Sequence, residues 1–251
     1  MMPQQTSSTS VLIIIPAFNE EESIVDVARS VRDAGYDLVV VNDGSTDATL
    51  EICKDHDITV LNLASNLGIG GAVQTGHIYA YENGYDIDIQ FDGDGQHDIG
   101  SIPALVEAIE QGANLAIGSR FVDKNKETFK STGLRRLGIK WLSFIIKLMT
   151  GARVYDVTSG FRACDRRMIE LYSTNYPIDY PEPESIAIAV KNHMVIAEVP
   201  VTMNERQGGT SSISAPASVY YMIKVSLAII IQSMTRRGTI RGTARLGGDD
   251  E

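Results

Sequence analysis

The chain has 251 residues, 43% hydrophobic and 22% charged, with 22 Lys and Arg against 32 Asp and Glu for a net charge of −10. That length buries a real core without metal or disulfide staples, and the acidic balance argues against a nucleic-acid partner. Cys53 and Cys164 match no zinc-ligand spacing and read as reduced thiols, and no run reaches the ~18 apolar residues of a spanning helix.

Residues 1–10 are short and polar without the apolar centre of a signal peptide, and are expected to be a disordered lead-in. Val11 to Ile15 is an all-apolar, β-branched run ending at Pro16, the pattern of a buried parallel strand. Glu20, Glu21 and Glu22 suit the positive end of a helix carried by Ile24, Val27, Ala28 and Val31 and stopped by Gly35. A second strand is predicted over Leu38 to Val41, followed by the turn-rich Asn42–Asp47 and a helix toward Cys53. Ile58 to Leu63 predicts a third strand, Asn66 to Gly71 a glycine-rich loop opening a helix through Tyr81, and Ile87 to Phe91 a fourth strand. Strands alternating with helices over short connections make a parallel sheet wound by right-handed crossovers. In such sheets ligands bind beyond the carboxyl ends of the strands, where Asp43 and the loop from Asp92 to His97 both fall.

Farther along, Leu115 to Gly118 predicts a strand, followed by a basic stretch and a helix from about Leu134 to Met149. A loop at Asp156 to Arg162 precedes another helix, Pro181 to Glu184 opens a further one, and Ile196 to Val201 is a strand. Arg206 to Ser212 is a Gly/Ser loop, residues 215–235 an amphipathic helix, and residues 236–251 a mobile tail.

Asp92 and Asp94 flank a single glycine directly after an apolar strand. Carboxylates that close repel each other unless a cation sits between them, which suits a hard divalent ion with oxygen ligands. Gly93 and Gly95 let a diphosphate approach the backbone, while Gln96 and His97 add polar groups. The bland alternative is a solvated Asp-Gly turn. An EF-hand fits poorly because Pro103 stands at the twelfth position from Asp92. No P-loop is present, and Val73 occupies the place of the third glycine of a dinucleotide fingerprint.

Four segments occur in order: Val11 to Glu21, Val39 to Asp47, Asn66 to Ala72 and Gln90 to His97. Together they resemble the family 2 glycosyltransferases, in particular the dolichyl- and polyprenyl-phosphate sugar synthases, over roughly Val11 to Ser214. The resemblance implies a GT-A fold, an α/β Rossmann-like and mostly parallel sheet flanked by helices, with residues 11–214 as the catalytic domain. It implies that Pro16, Phe18, Glu20, Asp43, Gly70, Asp92, Gly93 and Asp94 bind the nucleotide-sugar donor. The family usually has Tyr where this chain has Phe18, so ring packing is kept and a hydroxyl is lost. It further implies that Asp92, Asp94 and Gln96 hold Mg²⁺ or Mn²⁺ and that the reaction inverts the anomeric centre, with Asp94 at the reacting phosphate. Arg120, Arg135, Arg162 and Arg206 correspond to basic positions for an acceptor phosphate.

Two acceptors are compatible with this pattern. A lipid phosphate is already an anion, whereas a sugar hydroxyl on a growing polysaccharide or glycolipid needs a base. Glu184, after Pro183, is the candidate base, unless Glu182 and Glu184 only complement a helix N-terminus. Arg120, Lys124, Lys126, Lys130, Arg135, Arg136, Lys140 and Lys147 are opposed only by Asp123 and Glu127, beside Trp141, Phe144, Ile145 and Leu148 at helical spacing. Such a basic amphipathic stretch suits an anionic membrane surface, and the last helix adds an apolar stripe at Tyr220, Ile223, Leu227, Ile230 and Ile231. The expectation is a peripheral enzyme at the cytoplasmic membrane face, with a membrane surface, a small membrane protein or a second copy against the last helix. A nucleotidyltransferase would carry a basic glycine-rich loop after its first strand, where Pro16 to Glu20 has no base. A non-catalytic binding module would have no need of the intact carboxylate pair.

Overall fold

The computed structural model describes residues 9–122, 133–202 and 215–234. The elements are β1 (Val11–Ala17), α1 (Ile24–Asp33), β2 (Asp37–Asn42), α2 (Thr49–Asp55), β3 (Val60–Asn62), α3 (Gly68–Glu82) and β4 (Ile87–Gln90). They continue with α4 (Ile102–Glu110), β5 (Leu115–Ser119), α5 (Gly133–Thr150), β6 (Arg162–Asp165), α6 (Arg166–Thr174), α7 (Pro181–Lys191), β7 (Ile196–Pro200) and α8 (Ala215–Met234). Arg206 and residues 123–132, 203–214 and 235–251, which include Lys124, Lys126, Lys130 and the expected tail, lie outside the described residues.

The seven strands run in the order β3-β2-β1-β4-β6-β5-β7, all parallel to their neighbours except β6, which is antiparallel to β4 and β5. The α/β, mostly parallel fold expected from the sequence is therefore present. Strand alternation explains its two cores. Leu12 and Ile14 of β1 with Val39 and Val41 of β2 face α3 and the later helices, while Ile13, Ile15, Leu38 and Val40 face α1 and α4. Chain order reverses between β1 and β4: β2 and β3 extend from one side of β1, and β4 pairs with its other side. That reversal opens a crevice at the carboxyl ends of β1 and β4.

Two elements were not anticipated. Helix α4 follows a 3₁₀ turn at Ile99–Ser101 and buries Ile102, Leu105 and Ile109 at helical spacing, so its signal was present in the sequence. Strand β6 carried no such signal, because two of its four residues are charged. It is a strand because it is wedged between β4 and β5. Asp165 accepts the Met168 N–H at 2.8 Å to cap α6 and an Asn114 amide bond at 2.6 Å.

Within the acidic run before α1, Glu21 also reaches the start of α2. Glu21 accepts the Ala48 N–H at 2.9 Å, at the N-terminus of α2, and its own N–H donates to Asp47 at 3.2 Å. This lacing fixes the loop after β1 against the loop after β2.

Candidate active site

The carboxyl ends of β1, β2 and β4 converge on a cavity of about 390 Å³, within the usual range for small-molecule sites. Pro16, Phe18 and Glu20 come from the end of β1, Asp43 from β2, and Asp92, Gly93 and Asp94 from the loop after β4. The far wall is Thr158, Gly160 and Glu182. Seven of the eight expected donor-binding residues thus line one cavity. The eighth, Gly70, does not. A Cβ there would lie 2.4 Å from the Ile178 carbonyl oxygen, so Gly70 lets α3 pack against the Pro177–Ile178 backbone.

Each wall residue is held from behind. Asp43 is buried and accepts the Leu67 N–H at 2.7 Å, which fixes the start of α3 to the end of β2. Asn19 takes a left-handed backbone (φ 59°) and its side chain accepts the Thr46 N–H at 2.8 Å, so Phe18 projects from a pinned turn with its ring half exposed. Gly160 is required by proximity: a Cβ would lie 2.8 Å from Gln90 Nε2 and 3.4 Å from both Asp92 carboxylate oxygens.

The carboxylate loop rests on His97, which is buried and stacked on Phe161 at 4.7 Å between ring centroids. The Asp92 N–H donates to His97 Nδ1 at 3.1 Å, which leaves the ring proton on Nε2, 3.4 Å from Asp92 Oδ2. Burial lowers the His97 pKa, opposed by Asp92 and Asp94 and reinforced by Arg120. The unfolded chain therefore binds more protons as pH falls below the ordinary histidine value of about 6.5, and stability drops with it. In metal-free protein, His97→Asn should flatten the fall in the urea midpoint between neutral and mildly acidic pH, by up to ~1.4 kcal/mol per pH unit in that window. An unchanged slope would show that the ring stays protonated when folded.

Among the described residues, the cavity wall carries five carboxylates, Glu20, Asp43, Asp92, Asp94 and Glu182, and no Lys or Arg. Such a wall repels a diphosphate unless a cation intervenes, and its all-oxygen donor set fits a hard divalent ion. Asp92 and Asp94 present their carboxylates to the same space, with the Gln96 N–H bracing Asp94 Oδ1 at 3.0 Å. Gln96 contributes that backbone bond; its side chain is not on the cavity wall, because Gly95 turns the chain with φ 72°. Gln90 lines the cavity instead and approaches Asp92 Oδ1 at 3.4 Å.

The arginines expected at an acceptor phosphate take other roles in the geometry. Arg120 is buried and paired with the fully buried Asp156, Nε–Oδ2 and Nη2–Oδ1 both at 2.7 Å, and reaches Thr158 Oγ1 at 3.2 Å. Arg162 donates to the carbonyls of Ser159 (2.7 Å), Glu182 (2.8 Å) and Val157 (3.2 Å) and to Ser185 Oγ (2.7 Å). Both guanidiniums clamp the loop between Asp156 and Phe161 that supplies the far wall; neither lines the cavity. Arg135 stands in the first turn of α5, and its side chain lies outside the described residues.

Glu184, expected as a candidate base, is not on the cavity wall; Glu182 is. Two residues along a helix are roughly 200° apart, so the two side chains at the start of α7 face opposite ways. Burial raises the Glu182 pKa, with Arg162 opposing and Asp92 adding to the rise. Glu184 is raised by burial and by Asp179.

The family model described as glycosyl transferase family 2 matches residues 12–172. The UDP-N-acetylglucosamine–dolichyl-phosphate N-acetylglucosaminyltransferase of Methanococcus voltae is 34% identical over 213 residues, covering 76% of this chain and 84% of that protein. The polyprenol monophosphomannose synthase of Mycolicibacterium smegmatis is 30% identical over 249 residues, covering 92% and 91%. Among solved structures, glucosyl-3-phosphoglycerate synthase from Mycobacterium tuberculosis, in complex with Mn²⁺, UDP and phosphoglyceric acid, superposes with a TM-score of 0.69 at 18% identity. It covers 92% of this chain and 80% of that one, and the shared fold is GT-A.

Proposed function

The chain belongs to glycosyl transferase family 2, and from that premise we propose that it moves a sugar from a nucleotide-diphosphate donor to a polyprenyl or dolichyl phosphate at the cytoplasmic face of the membrane. The observation that carries the donor half is the five-carboxylate wall, which calls for a divalent cation, Mg²⁺ or Mn²⁺, between protein and diphosphate. The lipid-phosphate half rests on the names of its relatives in Methanococcus voltae and Mycolicibacterium smegmatis.

Asp92 and Asp94 would hold the cation, braced by His97, Gln90 and the Gln96 N–H. When bound there, a divalent cation stabilises the negative charge that grows on the departing diphosphate. Pro16, Phe18 and Asp43 form the side of the cavity suited to the base and ribose, Phe18 by ring packing and Asp43 by its buried carboxylate. Gly93 and Gly160 leave backbone exposed to the diphosphate. A phosphate acceptor arrives as an anion and attacks without a base, in a single inverting displacement with no covalent intermediate.

The second reading is transfer to a sugar hydroxyl, favoured by one observation: Glu182 is a partly buried carboxylate facing the cavity beside Asp92. Incubation with membranes and a panel of radiolabelled nucleotide sugars tests the choice. Label passing into the lipid-soluble fraction, with release of nucleoside diphosphate, supports the phosphate acceptor; label confined to polysaccharide overturns it. Glu182→Gln should then keep kcat within about tenfold, whereas loss of a general base would cost roughly 10²–10⁴-fold. Glu184→Gln should be silent in both cases, because that side chain is off the cavity.

A further inference from the structure

Gln90 lines the cavity, and Asp88, two residues earlier on β4, leaves the same face of the sheet but points into the core. There it meets two more side chains of ligand type, His77 of α3 and Cys164 of β6. Asp88 and Cys164 stand directly opposite each other across the antiparallel β4–β6 pair. Helix α3 lies over them. Gly76 lets it settle there, because a Cβ at that position would run into Ile14 Cγ2, and its neighbour His77 is thereby brought onto Asp88. One nitrogen of His77, one carboxylate oxygen of Asp88 and Cys164 Sγ all lie within 4.8 Å of one another. Cys164 matches no ligand spacing in the sequence because its neighbours arrive from another strand and a helix.

His77, Asp88 and Cys164 are 3%, 0% and 2% exposed, and the rings of Tyr172 and Tyr176 lie 5.3 and 5.1 Å from that of His77. A carboxylate buried so completely needs its oxygens matched, and Asp88 is only half served. Oδ2 meets His77 Nδ1 at 2.6 Å, whereas Oδ1 is buried without a hydrogen-bond partner. Among the described residues it is the only buried side-chain nitrogen or oxygen left so. The Cys164 thiol offers it little. Burial, and then the Asp88 carboxylate, push that thiol's pKa well up, so it stays neutral, and a neutral thiol is a weak donor.

We infer that His77, Asp88 and Cys164 form a structural zinc site, separate from the cation proposed at Asp92 and Asp94. Thiolate, imidazole and carboxylate together suit Zn²⁺ and disfavour Mg²⁺, which takes oxygen ligands. Uptake releases the thiol proton to solvent and takes His77 as neutral imidazole. Thiolate and carboxylate then cancel the charge of the ion, so a neutral unit remains in the core. Asp88 binding through both oxygens brings the donors to four and employs the orphaned Oδ1. Donors around a tetrahedral zinc stand roughly 3.3–3.8 Å apart, so the side chains close by about 1 Å at most. The ion cross-links α3, β4 and β6, and α3 in turn carries Gly68, Ile69 and Ala72 to the cavity wall. The site is the same for either acceptor.

Metal analysis of the full chain tests it. Protein made in zinc-supplemented medium and dialysed against EDTA should retain one zinc per chain, because the donors are closed to the chelator. The same dialysis should strip the cation at Asp92 and Asp94 and stop transfer. Cys164→Ser and His77→Gln should each lose the zinc, while Asp92→Asn with Asp94→Asn should keep it. Growth on cobalt in place of zinc should give a thiolate-to-cobalt charge-transfer band in the near ultraviolet and the strong visible bands of a tetrahedral ion. That spectrum needs no variant, so it decides the matter even where a substitution prevents folding. Zinc absent from the unmodified protein, retained by Cys164→Ser or lost with Asp92→Asn and Asp94→Asn would each overturn the site, as would a cobalt protein without the thiolate band. Any of these results leaves sugar transfer standing, and a zinc-loaded protein that transfers no sugar strikes the proposed function alone.

Discussion

Asp94→Asn should lower kcat/KM by roughly 10²–10³-fold, a loss of about 3–4 kcal/mol of transition-state stabilisation. The amide keeps the size and part of the hydrogen bonding of the carboxylate, so the Gln96 N–H still finds an oxygen and the loop after β4 keeps its path. What disappears is one of two negative charges facing the same space from either side of Gly93. If those charges exist to hold a divalent ion, chelation should abolish transfer and added Mg²⁺ or Mn²⁺ should restore it, in the unmodified protein far more than in the variant. Removal of one repelling carboxylate should meanwhile raise the melting temperature of metal-free protein slightly, so lost activity cannot be blamed on lost folding. Turnover unaffected by both chelation and the substitution would remove the cation from the proposal. Asp94 is a cleaner target than Asp92, whose backbone and side chain are tied to His97 and Gln90.

Asp156→Ala should be the most damaging single change to stability, costing roughly 3–5 kcal/mol because it strands the Arg120 guanidinium in the interior. For a chain of this size that corresponds to a melting temperature lower by on the order of 10 °C. Asp156 accepts three bonds from Arg120, one from its backbone N–H at 3.0 Å and two from the guanidinium at 2.7 Å. Its own N–H donates to Glu198 on β7 at 2.9 Å, so the loop after α5 is tied to β5 and β7 at once. Activity should fall with stability, since Thr158 and Gly160 of the cavity wall hang from that loop. Replacing both partners, Arg120→Met with Asp156→Leu, should recover much of the folding energy, because an apolar pair carries no desolvation cost. Unfolding of Asp156→Ala within about 1 kcal/mol of the unmodified protein, the range of exposed pairs, would show that water reaches the charge.

Arg120 and Arg162 mark what reading the sequence leaves open. Both are basic residues in a chain expected to bind phosphate, and nothing local separates a guanidinium facing a ligand from one holding a loop. Asp156 lies 36 positions from Arg120, and the contact exists only because β6 turns back between β4 and β5. The two glutamates are left open for a similar reason. Pro181 to Glu184 announces a helix start, but the rotation of that helix about its axis depends on what α7 packs against, and it turns Glu182 inward. The packing of Gly70 is likewise out of reach, because its neighbour is a loop more than a hundred residues away in the chain.

The sequence by itself determined the parts whose signal is contiguous. Alternating and all-apolar strand runs placed β1, β2 and β4, and the loops at their carboxyl ends placed Pro16, Phe18, Glu20, Asp43, Asp92, Gly93 and Asp94 on one cavity. Parallel winding brings successive strand ends to one edge, so a local pattern was enough. Tertiary structure alone decided the opposite wall, from Thr158 to Glu182, and the partners of both buried arginines. Those positions are set by an antiparallel strand inserted among parallel ones and by the roll of one helix, and both follow from packing between distant segments, which no short stretch of chain encodes.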